Sequence, residues 1–277
     1  MEHPCAWSEY TEEQAAELEA FCAKYRAFIS ENKTERECSA AAIELAEKEG
    51  FVRDAFGRIG KLSPEYLPII GADTPDRYRK FHLAIEADAA GRLAGVRPEV
   101  DFLLAREEEA GTLQRMRDRG ELPVRVTHND TKLNNVMLDA VTRKALCVID
   151  LDTVMPGLVA YDFGDSIRFG ASTAPEDEKD LSRVEMSLDL YETYARGFIP
   201  ACGGLTAAEL ESLPLGAWTM TLENGLRFLT DYLEGDHYYH ITRPEHNLDR
   251  CRTQLKLVSD MEQKWDPMTA IIRSFQP

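Results

Sequence analysis

His128-Asn129-Asp130-Thr131-Lys132-Leu133-Asn134-Asn135 has the form H-x-D-x-x-x-x-N, and Ile149-Asp150-Leu151-Asp152 follows it. The chemistry that needs this pattern is phosphoryl transfer. One carboxylate, Asp130, takes a proton from an acceptor hydroxyl. An amide oxygen five residues on, at Asn135, and a second carboxylate, Asp150, supply hard oxygen ligands for Mg2+, whose shell the phosphates of ATP complete.

Spacing brings these groups together. The apolar runs Asn135–Leu138 and Ala145–Ile149 flank a polar stretch and read as an antiparallel hairpin. Asn135 opens its first strand and Asp150 follows its second, so both fall at one end of the hairpin, with Asp130 on the loop just before it. Asp162-Phe163-Gly164 spells another kinase motif, but it lies 32 residues past Asp130, beyond the Pro156-Gly157 turn. We therefore read Asp150 as the metal ligand and Tyr161–Asp165 as a helix start. Asp162 is then a cap or loop brace, with direct catalysis the other reading, and Asp165 favours the positive end of the helix dipole. His128 braces its loop. Lys132 either shields the transferring phosphate or faces solvent, and Asp152 either supports the metal ligands or binds a second ion.

The segments VTHNDTKLNNVMLD, CVIDLDTVMPGLVAYDFGDSIRF and GLRFLTDYLEGDHYY, with PEHNLDRCRTQ beyond, resemble the aminoglycoside phosphotransferase/choline kinase superfamily. Within it they are most similar to bacterial N-acetylhexosamine 1-kinases, over about residues 53–265. The resemblance implies that Asp130 is the base, that Asn135 and Asp150 bind Mg2+, and that Arg227 and Tyr238 touch the sugar, with Tyr239 competing for the tyrosine role. It implies ATP and Mg2+ as cofactors and a sugar acceptor. Read without it, Arg227 in the apolar stretch AWTMTLENGLRFLTDYL is better explained by a paired structural charge than by a donor to a sugar.

The expected fold is α/β, mostly α: a kinase-like C-terminal lobe with a short catalytic β-hairpin. The nucleotide-gripping lobe of such kinases is expected to be largely missing. Phe56–Gly60 is the sole glycine-containing candidate for its phosphate loop, without the G-x-G-x-x-G pattern or flanking strands, and no strand lysine of the V-A-I-K kind is found. Two amphipathic helices, 11–30 and 34–49, stand there instead. Residues 1–50 resemble the opening helices of zinc aspartyl-type aminopeptidases but bring no metal cluster. The expected domains are 1–52, a helical segment fused by nature, truncation or misassembly of the gene, and 53–277, the catalytic lobe. The rival to an active kinase is a catalytically incomplete remnant or binding module.

Further helices are expected at 75–91, 98–118, 175–198, 206–212, 214–234 and 244–264. The chain carries 49 Asp and Glu against 32 Lys and Arg, a net charge of −17. That excludes a basic nucleic-acid footprint and mildly favours a cationic acceptor. Six cysteines without C-x-x-C spacing read as reduced thiols, Cys147 packing as a small hydrophobe. The spacing of His237, His240 and His246 does not suit zinc. No signal peptide or long apolar run is found, so a cytoplasmic location without membrane partner is expected.

Overall fold

A computed structural model describes Thr11, Lys48, the backbone of Val52–Arg53 and Ile59–Gly60, and residues 73–275, the Asp152 side chain excepted. The helices expected at 11–30 and 34–49, and the aminopeptidase-like stretch they belong to, lie outside the described residues save for Thr11 and Lys48. The chain divides into two compact units, Met1–Leu67 and Pro68–Pro277. In the first, β1 (Val52–Arg53) and β2 (Ile59–Gly60) pair antiparallel, Val52 opposite Gly60 and Arg53 opposite Ile59. The sequence showed no strands here; β2 is the end of the Phe56–Gly60 stretch itself and pairs with β1 before it.

The second unit opens with α1 (Thr74–Ala87), which starts where the Asp73 carboxylate accepts the Asp76 N–H at 3.1 Å, with Pro75 in the first turn. It stops short of the expected residue 91 because Asp88 adopts a left-handed conformation, φ 36°. Buried Thr74, Tyr78, Phe81 and Ala84 recur every three or four residues and form its inner face. The single helix expected at 98–118 is broken into α2 (Arg97–Leu104), α3 (Glu107–Ala110) and α4 (Thr112–Asp118). The Leu103 carbonyl is claimed by the buried Tyr78 hydroxyl at 3.0 Å and by the Arg106 N–H at 3.0 Å, which tightens the turn and ends α2.

Two short strand pairings follow, each a two-stranded ribbon of its own. β3 (Arg125–Thr127) pairs antiparallel with β6 (Met155–Gly157), and between them β4 (Val136–Leu138) pairs with β5 (Ala145–Val148). The Asp139 carboxylate closes the β4–β5 turn by accepting the N–H groups of Val141 and Thr142. Cys147 does not pack inside: it is exposed, because this two-stranded ribbon leaves Met137, Leu138, Leu146 and Val148 uncovered as well.

Then come α5 (Val159–Gly170), α6 (Leu188–Cys202), α7 (Ala207–Glu234), α8 (His246–Gln263) and α9 (Trp265–Arg273). The helix expected from 175 begins only at Leu188, capped by Ser187. The residues before it are held otherwise: Ser172 bridges Met186, and the Met186 N–H goes to Asp260 at 2.7 Å. The two helices expected at 206–212 and 214–234 are one. A Thr206/Glu209 capping box starts it and it runs through Pro214. α7 is nearly all buried, the axis against which α1, α5, α8 and α9 pack. It meets α5 at two glycines: a Cβ on Gly164 would strike the Gly216 carbonyl, and one on Gly216 the Ala160 carbonyl. Among the described residues no helix is long and apolar enough to cross a membrane.

Candidate active site

The loop after β3 is held by a carboxylate from α5. The Asp162 oxygens accept the His128 N–H at 2.8 Å and the Asn129 N–H at 2.7 Å, while its carbonyl accepts the Thr131 hydroxyl at 2.6 Å. Asp162 therefore does not cap α5, which begins at Val159 with Leu158 as its N-cap. Lying one turn inside, its side chain leaves the helix for the loop. Burial raises its carboxyl above the ordinary value, the two N–H groups opposing that shift. Asn129, left-handed at φ 64°, ties the loop to the Thr153 carbonyl at 3.0 Å, and the Thr153 hydroxyl returns a bond to the His128 carbonyl at 2.7 Å. His128 Nε2 donates to the Ile149 carbonyl at 3.0 Å.

Within this frame Asp130 accepts Lys132 Nζ and Asn135 Nδ2 on one oxygen, both at 2.8 Å, and Asn135 Nδ2 also reaches the Asp130 carbonyl at 2.8 Å. Burial pushes the Asp130 carboxyl up. The hydrogen bonds from Lys132 and Asn135 and the charges of Lys132 and Arg168 outweigh it and hold the group below the usual carboxylate range. Asp130 is therefore ionised at neutral pH with one oxygen unshared, the form that can orient a hydroxyl and receive its proton.

Asn135 ends a 3₁₀ turn, Leu133–Asn135, and its carbonyl accepts the Ile149 N–H at 2.9 Å, extending the β4–β5 ladder by one residue. Asp150 comes next in a left-handed conformation, φ 65°, exposed. The donor chemistry suits Mg2+. With its nitrogen committed to Asp130, the Asn135 amide is left with its oxygen for a cation, and Asp150 adds a carboxylate with no ion pair among the described residues. No three His, Cys, Asp or Glu side chains come together among the described residues. Two protein oxygens are in keeping with an ion that draws its remaining ligands from phosphates and water.

Asp130 stands where two cavities meet. One, about 630 Å³, lies under the hairpin and is mainly apolar, walled by Leu133, Val136, Val148, Ile167 and Phe198. The other, about 540 Å³, runs from Asp130 to Arg227, Tyr238 and Tyr239. Arg227 lies 6.0 Å from the Tyr238 ring centroid and 5.6 Å from that of Tyr239, with no carboxylate partner among the described residues. Tyr239 is the more embedded tyrosine, its ring 4.7 Å from Phe228, whereas Tyr238 is 74% exposed. This cleft does not share the acidity of the whole chain. Lys132, Arg168, Arg227 and Arg250 face Asp130, Asp165 and Glu176, four cations against three carboxylates.

The model of the phosphotransferase enzyme family (APH) matches residues 6–196. The chain belongs to this family. It is thus a phosphotransferase of small molecules by descent, from a family that is ATP-dependent and typically uses Mg2+. The match takes in Asp130, Lys132, Asn135, Asp150 and Asp162. Arg227 and Tyr238 lie beyond it.

Two features of this phosphotransferase escaped the sequence. Asp165 is not at a helix end: it is buried in mid-α5, bonded to the buried Arg168 at 2.8 Å, and Arg168 reaches on to Glu176 at 2.6 Å. The i, i+3 spacing of Asp165 and Arg168 was a usable signal for that pair. The strand pair β3–β6, which carries the loop, was missed because three-residue strands leave no period to read.

Proposed function

We propose that this chain transfers the γ-phosphoryl group of ATP to the anomeric hydroxyl of an N-acetylhexosamine. The observation that carries the reading is the polar cleft itself, with an ionised Asp130 at one end and an arginine flanked by two tyrosine rings at the other. Sugars present hydroxyls to a guanidinium fork and apolar ring faces to aromatic side chains. The excess of one cation in the cleft favours a neutral acceptor over the cationic one that the net charge alone would suggest.

In this reading the acceptor hydroxyl donates to the free oxygen of Asp130. As its oxygen bonds to the γ-phosphorus and the bond to the β-bridging oxygen breaks, the proton passes to Asp130. Asn135 keeps Asp130 oriented, and Lys132, 2.8 Å from it, puts positive charge beside the transferring group. Asn135 Oδ1 and Asp150 would hold Mg2+, which when bound neutralises charge between the β- and γ-phosphates. Arg227 and Tyr238 or Tyr239 would fix the sugar ring.

The test is phosphate transfer from Mg-ATP to N-acetylglucosamine and N-acetylgalactosamine, followed by phosphorus NMR for the sugar 1-phosphate, alongside Asp130→Asn. Product from the wild type and a rate at least ~10²-fold lower for the variant are expected. Calorimetry that finds sugar binding without Mg-ATP binding would replace the kinase with the binding-module reading.

A further inference from the structure

We infer that Asp231 is the positioning residue of the acceptor wall: its carboxylate sets the loop that carries Tyr238 and Tyr239 against Arg227. The inference rests on the reading that this wall meets the acceptor. Asp231 lies in the last turn of α7, where a negative charge opposes the helix dipole, and that turn holds no basic residue. It is also 3% exposed. A carboxylate in so unfavourable a place must be held by specific partners.

The partners are three consecutive backbone N–H groups of the next loop. Oδ1 accepts those of His237 at 2.9 Å and Tyr238 at 2.8 Å, and Oδ2 accepts that of Tyr239 at 3.0 Å. A fourth donor, Asn247 Nδ2 from the first turn of α8, reaches Oδ2 at 2.8 Å and also Asp236 at 2.9 Å. Arg92 holds Asp236 from the opposite side. Arg227 is one turn earlier on the same face of α7. One helix thus supplies both the guanidinium and the clamp that brings two aromatic rings to it.

The charge matters as well as the shape. An amide at position 231 could accept from His237 and Tyr238, but its NH2 would face the Tyr239 N–H and Asn247, donor against donor. The experiment is hydrogen exchange of the loop amides together with N-acetylglucosamine and Mg-ATP titrations by calorimetry, on wild type, Asp231→Asn, Tyr238→Ala and Arg227→Ala. Asp231→Asn should speed exchange at residues 237–239 by about 10-fold or more and weaken sugar binding by about 10-fold, with Mg-ATP binding within about twofold of wild type. Unchanged loop exchange overturns the inference. So does faster exchange with undiminished sugar affinity while Tyr238→Ala and Arg227→Ala weaken it. If those two variants leave sugar binding untouched, or the wild type binds none, the acceptor-wall reading fails first and takes the inference with it. Should Asp231→Asn not fold, Asn247→Ala removes one donor only. It is expected to speed Tyr239 exchange by about threefold, and no change there is equally fatal.

Discussion

Asp162→Ala is the sharpest test of how this molecule holds the loop that carries Asp130. The substitution strands the N–H groups of His128 and Asn129, which now meet carboxylate oxygens at 2.8 and 2.7 Å. Each bond to a charged group contributes about 1.5–3 kcal/mol, and freeing a buried charge returns part of that sum. The net cost should be about 2–4 kcal/mol, a large share of the ~5–15 kcal/mol that a folded protein has in hand. With a urea slope of about 3 kcal/mol per molar, the midpoint should fall by roughly 1 M. Asp130 follows two residues after His128, so its misplacement should also cost at least ~10²-fold in phosphoryl transfer. Tryptophan fluorescence in urea reads the first effect and an ADP-release assay the second. A variant with an unmoved midpoint and full turnover would show that the loop keeps its shape without Asp162, and the bracing argument would fall.

Other outcomes follow from the same geometry. Because burial raises the Asp162 carboxyl, the folded state binds a proton more readily than the unfolded chain. Asp162 should therefore lower stability progressively as pH rises from about 4 to its raised folded value, with no further change above. The difference in unfolding free energy between wild type and Asp162→Asn, measured from pH 3 to 8, should show that slope, and a flat difference counts against it. Asp150→Asn should raise the Mg2+ concentration for half-maximal turnover by about 10-fold or more, and an unaltered Mg2+ titration would remove Asp150 from the metal site. Gly164→Ala should lower stability by about 1–3 kcal/mol, since its Cβ strikes the Gly216 carbonyl; thermal unfolding unchanged from wild type would contradict that contact.

The hairpin was legible because its parts are local. Its seven strand residues place Asn135 and Asp150 at one end through their own ladder, and no distant contact is needed to see it, whereas the loop before it is held by Asp162 of α5. Features set by remote partners were not legible. The break after Leu104 depends on a tyrosine hydroxyl 25 residues away. The late start of α6 depends on Asp260, 74 residues on. Pro214 reads as a helix boundary, yet α7 passes through it because almost every neighbouring side chain is buried. The role of Asp162 was half visible: its sequence context marked a brace or cap, but only the packed structure tells which N–H groups it takes.

The Asp231 clamp has an evolutionary corollary. It grips main-chain atoms, so the identities of residues 237–239 are not written into the grip. On the proposed reading of this wall as the acceptor site, a descendant of this chain can exchange those three side chains, and with them its acceptor, while the attachment of the segment stays as it is. Diversification can then proceed at one short stretch, leaving the Asp130 loop some hundred residues upstream under separate selection.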